Sequence, residues 1–175
     1  MKILMFPNLR QAYEYDCGAN VTQSILDYYG IDAKESEIIK IAGTTRVGTS
    51  IKGIIKTLKK FGLKTKKGEL TINQIKQYID KKIPVILVIQ AWTENKKVNW
   101  EKDWKDGHYV VVIGYDKHKF YFEDPASELR TYLTYKELDK RWHDMDVKRK
   151  KYVHFGIAVY GKKPAYSFKK KIHME

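Results

Sequence analysis

The sequence holds a single cysteine, Cys17, so no disulfide can close within the chain and no zinc site built on several thiolates is available. That thiol is free for chemistry. No apolar run approaches the roughly 20 residues a membrane-spanning helix requires. The longest, 83–89, is interrupted by Pro84. The apolar stretch at the N-terminus, from Ile3 to Phe6 before Pro7, is shorter than the core of a signal peptide, and a reducing cytoplasm is the expected location. The sequence also lacks a P-loop glycine-lysine motif, zinc-finger spacing, an aromatic RNA-recognition signature, internal repeats and low-complexity linkers. No metal and no cofactor is expected.

Acidic residues are in the minority, 21 against 34 lysines and arginines, which leaves a formal net charge of +13. Such an excess raises the question of nucleic acid, because basic clusters release counterions when they neutralise phosphates. The distribution argues otherwise. Lys52, Lys56, Lys59 and Lys60 spread over a helical face, Lys64, Lys66 and Lys67 fall in an expected loop, and the rest gather in late clusters at 148–151 and 169–171. This is the pattern of solvated faces, and no dedicated nucleic-acid function is expected.

What remains is an ordinary globular composition, 43% hydrophobic and 13% aromatic over 175 residues, the size of one domain. Residues 1–161 are expected to form it, with 162–175 a mobile basic tail. Val21, Ile25 and Tyr28 recur at helical spacing after Cys17 and stop at Gly30, so a helix is predicted over 17–29 with Cys17 at its start. Further helices are predicted over 35–42 and 50–61. Thr71 with Gln74 three residues on is a capping box that opens a fourth, ending before Pro84. After Pro84 the chain becomes rich in β-branched and aromatic residues at 85–90, 109–115, 120–122 and 152–160, read as strands. A last helix is opened by Thr134 with Glu137 and runs to about 142. Helices first and strands second give an α+β domain in two lobes.

A lone cysteine is by default a small inert hydrophobe. A helix start changes that, because unpaired backbone N–H groups and the positive end of the dipole favour a thiolate. Asp16 opposes this electrostatically and is read as a helix cap. Gln11, six residues upstream of Cys17, carries an amide able to donate beside the nucleophile. With the backbone N–H of Cys17 it would form an oxyanion hole. His108 enters the strand Gly107-His108-Tyr109-Val110-Val111-Val112. A turn centred on Asp116 would set Asp124 opposite His108, on the same face, to orient the imidazole. The order Gln, Cys, His, Asp supplies oxyanion donor, nucleophile, base and orienter, the roles of acyl transfer through a thioester. His118 lies in the turn, His173 in the tail and His154 in a strand as a packing residue. His143 is the spare candidate. The segment 91–106, with Trp92, Trp100 and Trp104, either walls the cleft or packs as a surface loop. In the first case Trp92, Trp104 and Gly107 would contact substrate.

Gln11-Ala12-Tyr13-Glu14-Tyr15-Asp16-Cys17-Gly18, followed by Asp106-Gly107-His108-Tyr109-Val110-Val111 and Glu123-Asp124-Pro125, resembles the bacteriocin-processing peptidases. These are papain-like domains that cut peptides after a double-glycine leader. The resemblance implies a papain-like fold, with an N-terminal helical lobe packed on an antiparallel sheet. It assigns the family's catalytic cysteine, histidine, aspartate and oxyanion glutamine to Cys17, His108, Asp124 and Gln11. It is closer to free-standing members than to transporter-fused ones, which implies a peptide or protein substrate and a separate export transporter as partner. The competing readings on the same fold are a non-hydrolytic peptide-binding adaptor and an acyl transferase that resolves the thioester with an amine. Degenerate site positions would mark the adaptor, and here all four are present.

Overall fold

The computed structural model describes every residue except Lys96, Phe168, Lys170, Ile172 and Glu175. Lys170 of the late basic cluster therefore lies outside the described residues. Helices α1 (Cys17–Tyr28), α2 (Glu35–Ala42) and α3 (Ile51–Lys60) follow a short strand β1 (Lys2–Ile3). Ser50 caps α3 by accepting from the Gly53 N–H at 3.0 Å. Then come β2 (Lys64–Glu69), α4 (Ile72–Asp80), β3 (Val85–Gln90), β4 (Gly107–Tyr115), β5 (Lys119–Glu123) and β6 (Thr131–Thr134). The chain closes with α5 (Tyr135–Arg141), β7 (His143–Met145), β8 (Lys151–Val153) and β9 (Phe155–Tyr160). Both capping boxes form, at Thr71–Gln74 and at Thr134–Glu137.

One antiparallel sheet organises the molecule, in the order β2-β9-β3-β4-β5-β6, with β1 paired to the far end of β4. Side chains alternate across it. Ile86, Val111, Ile113, Ile157 and Val159 pack with α1, α2 and α3 on one face, while Val85, Leu87, Val110, Val112 and Ala158 pack with Ile75 and Ile79 of α4 and Leu138 of α5 on the other. β3 is buried along its whole length for this reason.

Several elements differ from the sequence expectation. The lysine-bearing segment expected as a loop is β2, an edge strand paired only to β9 from Lys64↔Tyr160 to Glu69↔Phe155. Charged edge strands carry no apolar signal, because their role is to stop further pairing. The strand expected over 152–160 is broken at His154, whose φ of 50° ends β8 before β9 begins. The start of the expected mobile tail is anchored, with the Ala165 and Tyr166 N–H groups both donating to the Tyr28 carbonyl at 3.0 and 3.1 Å.

The β4–β5 hairpin turns between Lys117 and His118, not at Asp116. Next to the turn, Tyr115 pairs with Phe120 and Gly114 with Tyr121, then a β-bulge shifts the register so that Val112 meets Phe122 and Val111 meets Glu123. The unpaired residue is Ile113. Had the register of the turn continued, Asp124 would fall opposite Val111 and on the wrong face. The bulge instead sets it opposite Val110, diagonal to His108 and on the same face.

Gly53 marks a close approach that holds α2 against α3, since a Cβ there would sit 2.2 Å from the Ala42 carbonyl oxygen. Gly53→Ala is expected to lower unfolding free energy by about 1–3 kcal/mol through overpacking, measured by urea titration. An unchanged midpoint would show that the helices can part at no cost.

Candidate active site

Cys17 is the first residue of α1 and is 8% exposed. Asp16 does not cap this helix. Its carboxylate turns back, and Oδ2 accepts from the Tyr13 N–H at 3.1 Å. The first N–H groups of α1 therefore have no side-chain cap, and the positive end of the helix stays directed at the sulfur and the space beside it. Gly18 lets this end press on the sheet, because a Cβ would meet Thr49 at 2.7 Å and the Tyr109 ring at 3.1 Å. Tyr109 follows His108 on β4, so the same contact brings thiol and imidazole together.

His108 Nε2 lies 2.8 Å from Asp124 Oδ1, with the two side chains only 8% and 4% exposed. Asp124 is held on every side. Oδ1 also accepts from the Ala126 N–H at 3.0 Å, and Oδ2 accepts from the Thr131 hydroxyl and the Trp92 indole N–H, each at 3.1 Å. Burial alone would push the imidazolium down, but hydrogen bonding to Asp124 and to Cys17 outweighs it and raises His108 to about 9. Burial would likewise raise the Asp124 carboxyl, yet hydrogen bonding to His108 leaves it below its ordinary value.

Gln11 stands beside this group through its backbone, whose N–H donates to the Pro125 carbonyl at 3.0 Å. Its side-chain amide donates to the Tyr13 carbonyl at 2.9 Å, and its Oε1 is buried without a partner. The segment leading to Gln11 is tied to the same hairpin. Buried Glu123 accepts from the Leu9 N–H at 2.7 Å and pairs with Arg130, which also donates to the Phe6 and Pro7 carbonyls at 2.6 and 3.0 Å.

The remaining expectations divide. Trp92 gives its N–H to Asp124. Trp104 instead packs against His143 at a tilt, with ring centroids 4.4 Å apart. Gly107 faces Asp144, whose Oδ1 a Cβ would approach to 2.6 Å. The spare candidate His143 is occupied in pinning the 91–106 segment, with Nε2 2.7 Å from the Asp103 carbonyl oxygen. Trp100 packs under the Arg141 guanidinium at 3.9 Å. His154, expected in a strand, lies between β8 and β9, where it stacks on Trp142 at 4.8 Å with Nε2 3.3 Å from Asp139 Oδ1. Sequence reasoning missed Thr131, Gln90 and Asp144. Gln90 donates to Asp144 Oδ1 and accepts from the Asp106 N–H, closing the neck of the segment. No motif marks such residues, because their partners lie far along the chain.

A buried polar seam runs along α1 below Cys17. Asp16, Asn20 and Ser24, one turn apart, each hold an oxygen without a partner, as does Glu35 at the start of α2. Burial raises Asp16, and burial with the Asp16 charge raises Glu35, opposed by a hydrogen bond to Asn20.

A thiol at a helix start working against a strand-borne imidazole is the arrangement of papain-like cysteine-type peptidases, and this domain is of that class. Residues 5–151 match the Peptidase C39 family, and the chain belongs to it. Among curated relatives, the pediocin PA-1 transport/processing ATP-binding protein PedD of Pediococcus acidilactici is 24% identical over 133 residues, 75% of this chain and 17% of that protein. The chain thus spans under a fifth of that relative. An uncharacterized protein of Methanothermobacter thermautotrophicus is 24% identical over 116 residues, 66% of this chain and 69% of that one. The solved peptidase domain of Streptococcus ComA superposes with a TM-score of 0.67 at 21% identity, over 92% of this chain and 98% of that one. A C39-like peptidase structure from Bacillus anthracis gives 0.70 at 16%, over 94% and 98%. At these identities the likeness establishes the fold.

Two pH dependences follow. The raised His108 contributes stability in full below its ordinary 6.5 and loses it as pH rises through about 9. The lowered Asp124 contributes above its ordinary 3.8. Asp124→Asn should therefore destabilise most between about pH 4 and 6.5, with the difference shrinking towards pH 9 in urea titrations. A pH-independent difference would contradict the pairing. Glu35 has the opposite sign. Its raised carboxyl favours the neutral form in the fold, so Glu35→Gln should raise the thermal midpoint at pH 7 and leave it unchanged below about pH 4.

Proposed function

We propose that the chain hydrolyses peptide bonds through a thioester on Cys17, with His108 as base, Asp124 as its orienter and Gln11 as an oxyanion donor. The observation that carries this reading is the buried 2.8 Å contact between His108 and Asp124 beside the only thiol. Asp124 occupies Nε2, which leaves Nδ1 for the proton of Cys17. The thiolate attacks the scissile carbonyl carbon and the carbonyl oxygen takes the negative charge. The imidazolium then gives its proton to the departing amine as the C–N bond breaks. A water, deprotonated by His108, cleaves the resulting thioester and restores the thiol.

The oxyanion is met by the Cys17 N–H, left free by the uncapped start of α1, and by Gln11. One amide hydrogen of Gln11 is spent on the Tyr13 carbonyl, and the other is free to donate. The substrate is a peptide or an unfolded segment of a protein. One solved relative, a double glycine motif protease, is described in complex with a leader peptide, which supports a peptide ligand here. A separate export transporter is the partner proposed, by analogy with relatives in which the domain is part of a transport/processing protein. A reducing cytoplasm would keep Cys17 free. No helix among the described residues is long and apolar enough to cross a membrane.

The test is turnover of a peptide library followed by mass spectrometry, with a peptide aldehyde to trap the thiol. Cys17→Ala should abolish cleavage. Gln11→Ala should lower kcat by about 10²–10³ with little change in KM, and Asp124→Asn should retain part of the activity. Amine-capped products would move the reading to acyl transfer, and binding without any acyl-enzyme would make the domain an adaptor.

A further inference from the structure

Trp92 stands at the stem of the 91–106 segment in a conformation its own packing does not explain. Its φ is +60°, in the left-handed region that bulky residues rarely adopt, and it is 58% exposed. A large ring in a strained backbone normally recovers the cost through burial, and here more than half of that gain is forgone. Among the described residues its one specific contact is the indole N–H on Asp124 Oδ2 at 3.1 Å.

The geometry points to Trp92 as a positioning residue for Asp124, which, on the thioester reading, holds the imidazole of His108 in line with Cys17. A carboxylate has about four acceptor sites, and those of Asp124 are filled by His108, Ala126, Thr131 and Trp92. The first two hold Oδ1 and the last two hold Oδ2, so the carboxylate plane cannot turn about its bond to Cβ without breaking contacts on both oxygens. Trp92 suits the position because an indole N–H donates only and carries no charge across the pH range. It cannot compete with His108 for the proton, as a histidine or lysine there would.

The backbone is built to keep it there. The Ala91 N–H donates to the Asp106 carbonyl at 2.9 Å and the Asp106 N–H to Gln90 Oε1 at 2.9 Å, which closes the neck of the segment immediately beside Trp92. Just inside the neck the returning chain is fastened by Asp103 on His143 and by Trp104 tilted against the same ring. The stem formed by residues 90–92 and 103–106 is therefore a brace that delivers one donor to the site.

Because Cys17 is the only thiol, iodoacetamide reports on it alone and needs no substrate. Trp92→Phe keeps the ring and removes the N–H. At pH 6 this variant should alkylate about tenfold more slowly than wild type, the size expected for losing one hydrogen bond to a charged group. In an Asp124→Asn background the same change should have less than a twofold effect, because the group it positions is gone. Equal slowing in both backgrounds would mean a merely structural role and overturn the proposal, as would an unchanged rate in the native background. A second readout separates this idea from the thioester reading. The indole N–H resonance of Trp92, assigned by its loss in Trp92→Phe, should shift on Asp124→Asn and stay in place on Cys17→Ala. If wild type neither cleaves peptides nor alkylates faster than a small free thiol, the thioester reading fails. A shift would then still uphold the hold of Trp92 on Asp124, and no shift would overturn it.

Discussion

Two ionisable groups removed from water, His108 and Asp124, set the terms for the rest of this molecule. A buried ion pair is stable only when its remaining donors and acceptors are matched, since an unmatched buried charge costs several kcal/mol, of order 3–5. Meeting that demand draws on distant parts of the chain. Ala126 comes from the loop after β5, Thr131 from the start of β6, and Trp92 from the segment between β3 and β4. The sheet is the frame on which these parts are assembled.

The N-terminal ten residues are bound to the same frame. Arg130 gathers the carbonyls of Phe6 and Pro7 while its partner Glu123 takes the Leu9 N–H, one residue before the carboxylate that contacts His108. Alternation along β5 and into the following loop thus puts two adjacent acids to opposite uses. Glu123 faces the side of Val111 and secures the chain that leads to Gln11, and Asp124 faces the side of His108. The segment that leads to Gln11 and the carboxylate that meets His108 are therefore held by neighbouring residues of one strand end, and a shift in either would be felt by the other.

Local chemistry made much of this legible in advance. Apolar periodicity that stops at Gly30 made α1 readable, with Cys17 at its head, and both capping boxes could be read directly from their residue pairs. His108 was visible as the residue that enters β4, whereas the placement of Asp124 depends on a bulge at Ile113 that the sequence does not mark, and Gly107 faces Asp144. Elements defined by what they exclude were not visible. β2 is a strand because its lysines face water at the sheet edge, and an alternation of polar residues with polar residues has no period to detect. Long-range pairings were equally hidden. Nothing near Trp92 in sequence names Asp124, and nothing near Asp16 says that its carboxylate will bend back to Tyr13 when a helix start lies ahead of it.

The bulge at Ile113 has one more consequence. Because that residue is unpaired, the register beyond it depends on the Val111–Glu123 and Val112–Phe122 pairs and not on how many residues separate them from the turn. A hairpin that dropped the extra residue, or kept it elsewhere between the turn and Val112, would present the same imidazole to the same carboxylate. The interval between histidine and aspartate is thus a free variable of this architecture, one residue wide. Kinship judged by a rigid count along the chain would miss relatives that chemistry treats as identical.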